Sequence, residues 1–249
     1  MLPQKNWTSQ VVALVAIFSL VLWAGETMVT AAGVPFLKVT VRGITPGKAI
    51  PRDFAFCVPA KTGHVALGPN KSPAIQWSKG PAGTASYAIV MFDPDVPSSG
   101  ENVNKEGKVV PASLKRVSFY HWILVDIPAS VTALPAGADS NGVTPRGKAP
   151  GPAQYGVRGV NDYTNWFAGD AQMAGDYGGY DGPCPPWNDT IPHHYHFAVY
   201  ALNVPHLGLS EKFTGPDVLK AMQGHVVAQG EVVGVYALNP TVARKISVK

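Results

Sequence analysis

The chain has 249 residues, 46% of them apolar and only 14% charged, which is enough to bury a substantial core and too apolar for a disordered segment. Its 26 glycines and 23 prolines sit mostly between short apolar runs, a composition that favours strands joined by many turns. A net charge of +4, with no basic run interleaved with aromatics, argues against a nucleic-acid surface, and Lys105, Lys108, Lys115 and Arg116 read as a solvated loop.

The N-terminal stretch reads as a targeting segment. Lys5 precedes an apolar run from Val11 to Ala24, and small residues follow, with Val29-Thr30-Ala31 suited to cleavage. The run is short for a bilayer span, so residues 1–31 are expected to be a cleaved signal peptide, with an uncleaved anchor as the alternative. The mature protein is then periplasmic or secreted. The chain has two cysteines, Cys57 and Cys184. In an exported chain that even count invites one disulfide, two buried free thiols being the alternative.

After this segment, Phe36 to Val41 alternates as a strand, and Pro46 to Pro59 mixes turns with apolar pairs. Ser86 to Phe92 is a nearly continuous apolar run, as expected of a buried central strand. Pro94 and Pro97 are expected to end its ladder pairing just past Asp93. Val117 to Ile127 and His194 to Leu202 read as two further strands, with His121 embedded in the first. Pro128 to Gly169, rich in Gly and Pro, reads as loops. A helix is expected near the C-terminus, capped by Thr214, with Pro216 and Asp217 in its first turn and Leu219, Met222 and Val226 facing the core. Glu231 to Leu238 reads as a last strand. No βαβ rhythm is present. The expected fold is mainly β, one sandwich-like domain over residues 33–249.

Polar residues at strand ends mark a candidate site, because a buried Asp or His is costly without a partner. Asp93 closes one strand, His121 lies within the next, and His193, Tyr195 and His196 open the third. Alternation places His193 and Tyr195 on one face and His194 and His196 on the other, which argues against a three-histidine metal cluster. Phe119 shares a face with His121. No Gly-x-Ser-x-Gly or His-Glu-x-x-His motif is present, so a hydrolase is the less favoured class. Asn70-Lys71-Ser72 and Asn188-Asp189-Thr190 fit the glycosylation pattern.

An ordered set of short motifs then carries a family resemblance. Ser72-Pro73-Ala74-Ile75-Gln76-Trp77, Asp93-Pro94-Asp95-Val96-Pro97, His121-Trp122, Asn161-Asp162-Tyr163, Gly179-Tyr180-Asp181-Gly182-Pro183-Cys184-Pro185-Pro186 and His193-His194-Tyr195 follow one another over residues 36–238. Together they resemble the phosphatidylethanolamine-binding protein family, also called Raf kinase inhibitor proteins, in its bacterial and archaeal branch. The resemblance implies a β-sandwich with a few helices and a pocket for phosphate-like anions or phospholipid head groups. It assigns the pocket to Asp93, His121, His193 and Tyr195, with Phe119 and the Pro183–Pro186 turn as walls. Cys57 and Cys184 are then expected on loops near the pocket rim. Three departures stand out. His194 replaces the family's usual Arg, and the stretches 98–118 and 162–178 are longer than usual, which would let both flank the pocket mouth.

The function expected from all this is an exported, non-catalytic binding protein for a small anion or phospholipid head group, with no cofactor. The alternative is an inhibitor of a kinase or protease through a protein surface near the pocket. His121, deepest in its strand, is expected to partner Asp93. Anion affinity is expected to fall above pH ~6.5 as histidine deprotonates.

Overall fold

The computed structural model describes residues 34–210 and 212–247. The targeting segment expected at residues 1–31 lies outside them. In chain order the strands and helices are β1 Val39–Val41, β2 Cys57–Pro59, β3 Val65–Leu67, β4 Ile75–Trp77, β5 Ser86–Pro97, β6 Arg116–Pro128, β7 Ala133–Leu134, β8 Gly151–Ala153, β9 Gly156–Arg158, α1 Tyr163–Trp166, β10 His193–Leu202, α2 Gly215–Ala221, β11 Val226–Tyr236 and α3 Pro240–Ser247.

The long apolar runs pair with one another. β11, β10, β5, β6, β9 and β8 form a six-stranded sheet in that order, and β1, β4 and β7 form a smaller one. The run expected to be the central strand is β5, flanked on both sides and almost wholly buried from Ser86 to Met91. Period-2 alternation then sorts its side chains. Tyr87, Ile89 and Met91 join Phe197 and Val199 of β10 and meet Val41, Ile75, Trp77 and Leu134 of the small sheet in the main core. Ala88 and Val90 face the other way, against Phe213, Val218 and Met222. The result is the expected sandwich, with α2 covering the outer face of the large sheet.

β6 breaks that alternation where it matters. Met91 pairs with Trp122 and Phe92 with Tyr120, so His121 is the extra residue of a β-bulge. Phe119, Trp122 and Leu124 therefore pack toward the main core, while Tyr120, Ile123 and Val125 pack beneath α2. The bulge lets His121 and Trp122, adjacent in sequence, both serve the inner face.

Several expectations are corrected. β5 does not stop at Asp93: a register shift skips Pro94 and Asp95, and Val96 and Pro97 pair again with Val117 and Arg116. A bulge absorbs the proline that an unbroken ladder would reject. The stretch 128–169 is not all loop, since β7, β8, β9 and α1 lie in it. In α2 it is Val218 and Met222, four apart, that are buried, while Leu219 is exposed and Val226 already belongs to β11. The helix is only two turns long, so the core-facing stripe starts one residue earlier than read and cannot reach 226. Its N-terminus is as expected, with a capping box between Thr214 and Asp217. Phe36 makes only an isolated bridge to Gln229 and stays exposed. Asn70 and Asn188 are buried, so neither glycosylation pattern presents its asparagine at the surface of the folded chain.

Candidate functional site

At one end of the large sheet, β5, β6 and β10 deliver Asp93, Phe119 with His121, and His193 with Tyr195 to a single cavity of about 540 Å³, counting its open mouth. Cys184, Pro185 and Pro186 form one wall, and Tyr163 and Trp166 of α1 another. Pro183, expected as a wall, is not among the lining residues: its carbonyl turns back to accept the Cys57 N–H. Both long stretches reach the mouth, the first through Gly100, Val103 and Asn104, the second through Tyr163 and Trp166.

The wall that carries Cys184 is held from behind. Asp181 is fully buried and accepts from Asn70 (2.8 Å), Lys148 (2.8 Å) and Asn161 (2.9 Å). Asn70 also accepts the Gly182 N–H, and Tyr163 Oη donates to the Gly182 carbonyl. A Cβ at Gly182 would collide with the Phe54 carbonyl, so only glycine lets this turn pack so closely. A disulfide joins Cys57 to Cys184 with their Cα atoms 4.7 Å apart; Cys57, expected on a loop at the rim, instead opens β2, which the bond ties to the wall.

Asp93 sits at the centre of the electrostatics, but its partner is not His121. One carboxylate oxygen accepts the Asp95 N–H at 2.8 Å, and the other takes His193 Nδ1 at 2.6 Å. The second ring nitrogen of His193 faces Asp189 at 3.2 Å, and Arg116 grips the same Asp189 carboxylate with two nitrogens at 2.5 and 3.1 Å. Since carboxylates only accept, both His193 nitrogens carry protons. Burial works against that charge, but Asp93 and Asp189 outweigh it and raise the pKa to about 9. The same contacts lower the Asp189 pKa against the opposing effect of its burial.

His121 behaves in the opposite way. Its Nδ1–H donates to the Asp181 carbonyl at 2.9 Å, while Nε2 has no hydrogen-bond partner. Burial lowers its pKa to about 4, despite the nearby Asp93 charge. Its ring lies among Phe119, Tyr163 and Tyr195, with centroids 4.9, 5.5 and 5.2 Å away. Tyr195 Oη makes no hydrogen bond of good geometry, although the Asp93 carboxylate lies beside it, and burial, helped by Asp93, raises its pKa well above the usual value. The expectation of anion affinity governed by a histidine near pH 6.5 is therefore corrected, because burial and the carboxylates drive the two rings apart.

The other two histidines of β10 point away, as alternation requires. His194 is exposed and bonds to Asp95 at 2.8 Å; His196 stacks on Phe92 and pairs with Glu231 at 3.0 Å. No local pattern in the sequence marks Asp189 or Arg116, because neither lies in an apolar run and Arg116 reads as part of a solvated loop. Tyr163 falls in one of the ordered motifs without a role there, and Trp166 falls in none.

With this geometry in view, the comparisons are specific. A family model described as phosphatidylethanolamine-binding protein matches residues 40–237. The chain is 30% identical over 201 residues to the UPF0098 protein YbcL of Escherichia coli, covering 81% of this chain and 87% of that one. The crystal structure of that protein, described as a new member of the mammalian PEBP family, superposes with a TM-score of 0.57 at 28% identity, over 81% of this chain and 98% of the other. A phosphatidylethanolamine-binding protein homolog from Chlamydia trachomatis gives 0.54 at 25% identity, over 81% of this chain and 97% of its own. With the β-sandwich, the ordered motifs and a family match spanning most of its length, the chain belongs to the phosphatidylethanolamine-binding protein family, in its bacterial type.

Proposed function

We propose that the protein is an exported, non-catalytic binder of phosphate-like anions, free or as lipid head groups, acting through the cavity around His121 and Tyr195. The observation that carries this reading is the pair of buried polar atoms that make no hydrogen bond of good geometry, His121 Nε2 and Tyr195 Oη, the second beside the Asp93 carboxylate, in two residues that line the same apolar-walled cavity. Convergent polar groups in an apolar pocket are the usual pattern of a ligand site, and an unmet buried polar atom is costly without a ligand. Cys184, whose sulfur is bonded to Cys57, offers no free thiol there, which favours binding over covalent catalysis. Export rests on Lys5, the apolar run Val11 to Ala24 and the disulfide, which suits an oxidising compartment.

A second reading, an inhibitor acting through a protein surface at the mouth, is favoured by Trp166, which lines the rim and is half exposed. Calorimetry with phosphoethanolamine on the wild type, His121→Ala and Tyr195→Phe tests the first reading. Each variant is expected to bind about tenfold more weakly or worse, since one hydrogen bond to a charged group is worth roughly 1.5–3 kcal/mol. Equal affinity in all three would place the ligand elsewhere.

A further inference from the structure

The polar atoms still available in the cavity differ from what its residues suggest. His193 has Nδ1 committed to Asp93 and Nε2 to Asp189, so it keeps no N–H for a ligand. His121 gives its one neutral-state proton to a backbone carbonyl, which can only accept. Its Nε2 is therefore an acceptor lone pair, buried in the wall of the cavity. Tyr195 Oη is the remaining O–H, and it lies beside the Asp93 carboxylate. The charges behind the walls cancel, with Asp93 and Asp189 set against His193 and Arg116, and Asp181 against Lys148. The groups packed around the His121 ring are Asp93, His193, Phe119, Tyr163 and Tyr195, together with the Asp181 and Gly182 backbone.

We propose that the cavity selects the protonated monoanion of a phosphomonoester, whose P–OH donates to His121 Nε2 while the Tyr195 hydroxyl turns from Asp93 to donate to a charged oxygen, over both the dianion and any phosphodiester. This rests on the anion-pocket reading above and narrows it. A dianion would set lone pairs against the Nε2 lone pair and bring two charges beside the buried Asp93 carboxylate. Protonating His121 instead is opposed by its burial, which lowers its pKa to about 4. A diester carries the same single charge as the selected monoanion but has no P–OH, so comparing the two isolates the donor.

The test is calorimetry on the full chain with methyl phosphate, dimethyl phosphate and glycerophosphoethanolamine from about pH 5 to 8. Near pH 5.5, methyl phosphate is expected to bind about tenfold or more tighter than dimethyl phosphate, the effect of one charged hydrogen bond. Its affinity is expected to fall about tenfold per pH unit above a second pKa near 6, as the monoanion disappears. Glycerophosphoethanolamine, a lipid-type diester whose ammonium is an alternative donor, is expected to be as weak as dimethyl phosphate. If either diester matches the monoester, or if monoester affinity stays flat or rises with pH, proton selection is overturned and the anion pocket stands. If none of the three binds at any pH, both the anion pocket and the selection built on it fall.

Discussion

His193 makes a quantitative test of the buried charge chain. Its imidazolium sits between two carboxylates, and its pKa is raised from 6.5 to about 9. Below pH 6.5 the folded and unfolded chains both hold the proton, and the full stabilisation is present. Between 6.5 and about 9 only the folded chain holds it, so stability falls as pH rises. At about 1.4 kcal/mol per pH unit, the window is worth on the order of 3 kcal/mol. For a domain of this size that corresponds to roughly 6–12 °C in Tm. His193→Gln removes the titrating group and leaves Asp93 and Asp189 short of a charged partner, so the variant is expected to be less stable than the wild type throughout. The informative quantity is the gap between the two proteins, measured by urea unfolding without reductant near pH 6 and near pH 9.5. The gap is expected to narrow by about 3 kcal/mol at the higher pH. A gap that stays constant would mean that the folded protein keeps no extra proton at this cluster between pH 6.5 and about 9, and would refute the buried cation at His193.

Two further outcomes are expected. Because the disulfide spans 127 residues of sequence, reducing it, or replacing both Cys57 and Cys184 with Ser, is expected to cost about 5 kcal/mol in the chain-entropy model; thiol titration of the unreduced, denatured protein that finds two thiols would remove its basis. Asn188 accepts from the Asn104 N–H and donates to the Asn102 and Lys108 carbonyls, so Asn188→Ala is expected to cost about 1–3 kcal/mol and to speed amide exchange around Asn104 while β10 and β11 stay protected.

The lining of the cavity was legible in the sequence to an unusual degree, because period-2 alternation is a local property. His193 and Tyr195 share a face by alternation alone, and Phe119 and His121 reach the same cavity even though a bulge interrupts the alternation at His121. The apolar runs around them announced three central strands, and the ordered motifs announced the family. What each polar group does was not legible. His121 and His193 look alike in sequence, two histidines in apolar strands. One is a buried neutral acceptor and the other a buried cation. The difference lies in Asp189, Arg116 and the Asp181 carbonyl, supplied by loops and by the register of β5 on β6. The bulge at His121 is likewise invisible in the residue pattern, since it depends on which β5 residue each β6 residue meets. Strand direction and burial follow from short-range pattern, whereas protonation follows from the few ångströms around a buried ring. Only the folded chain sets those distances, because an ion's energy in a low-dielectric interior depends on partners that may be a hundred residues away in sequence.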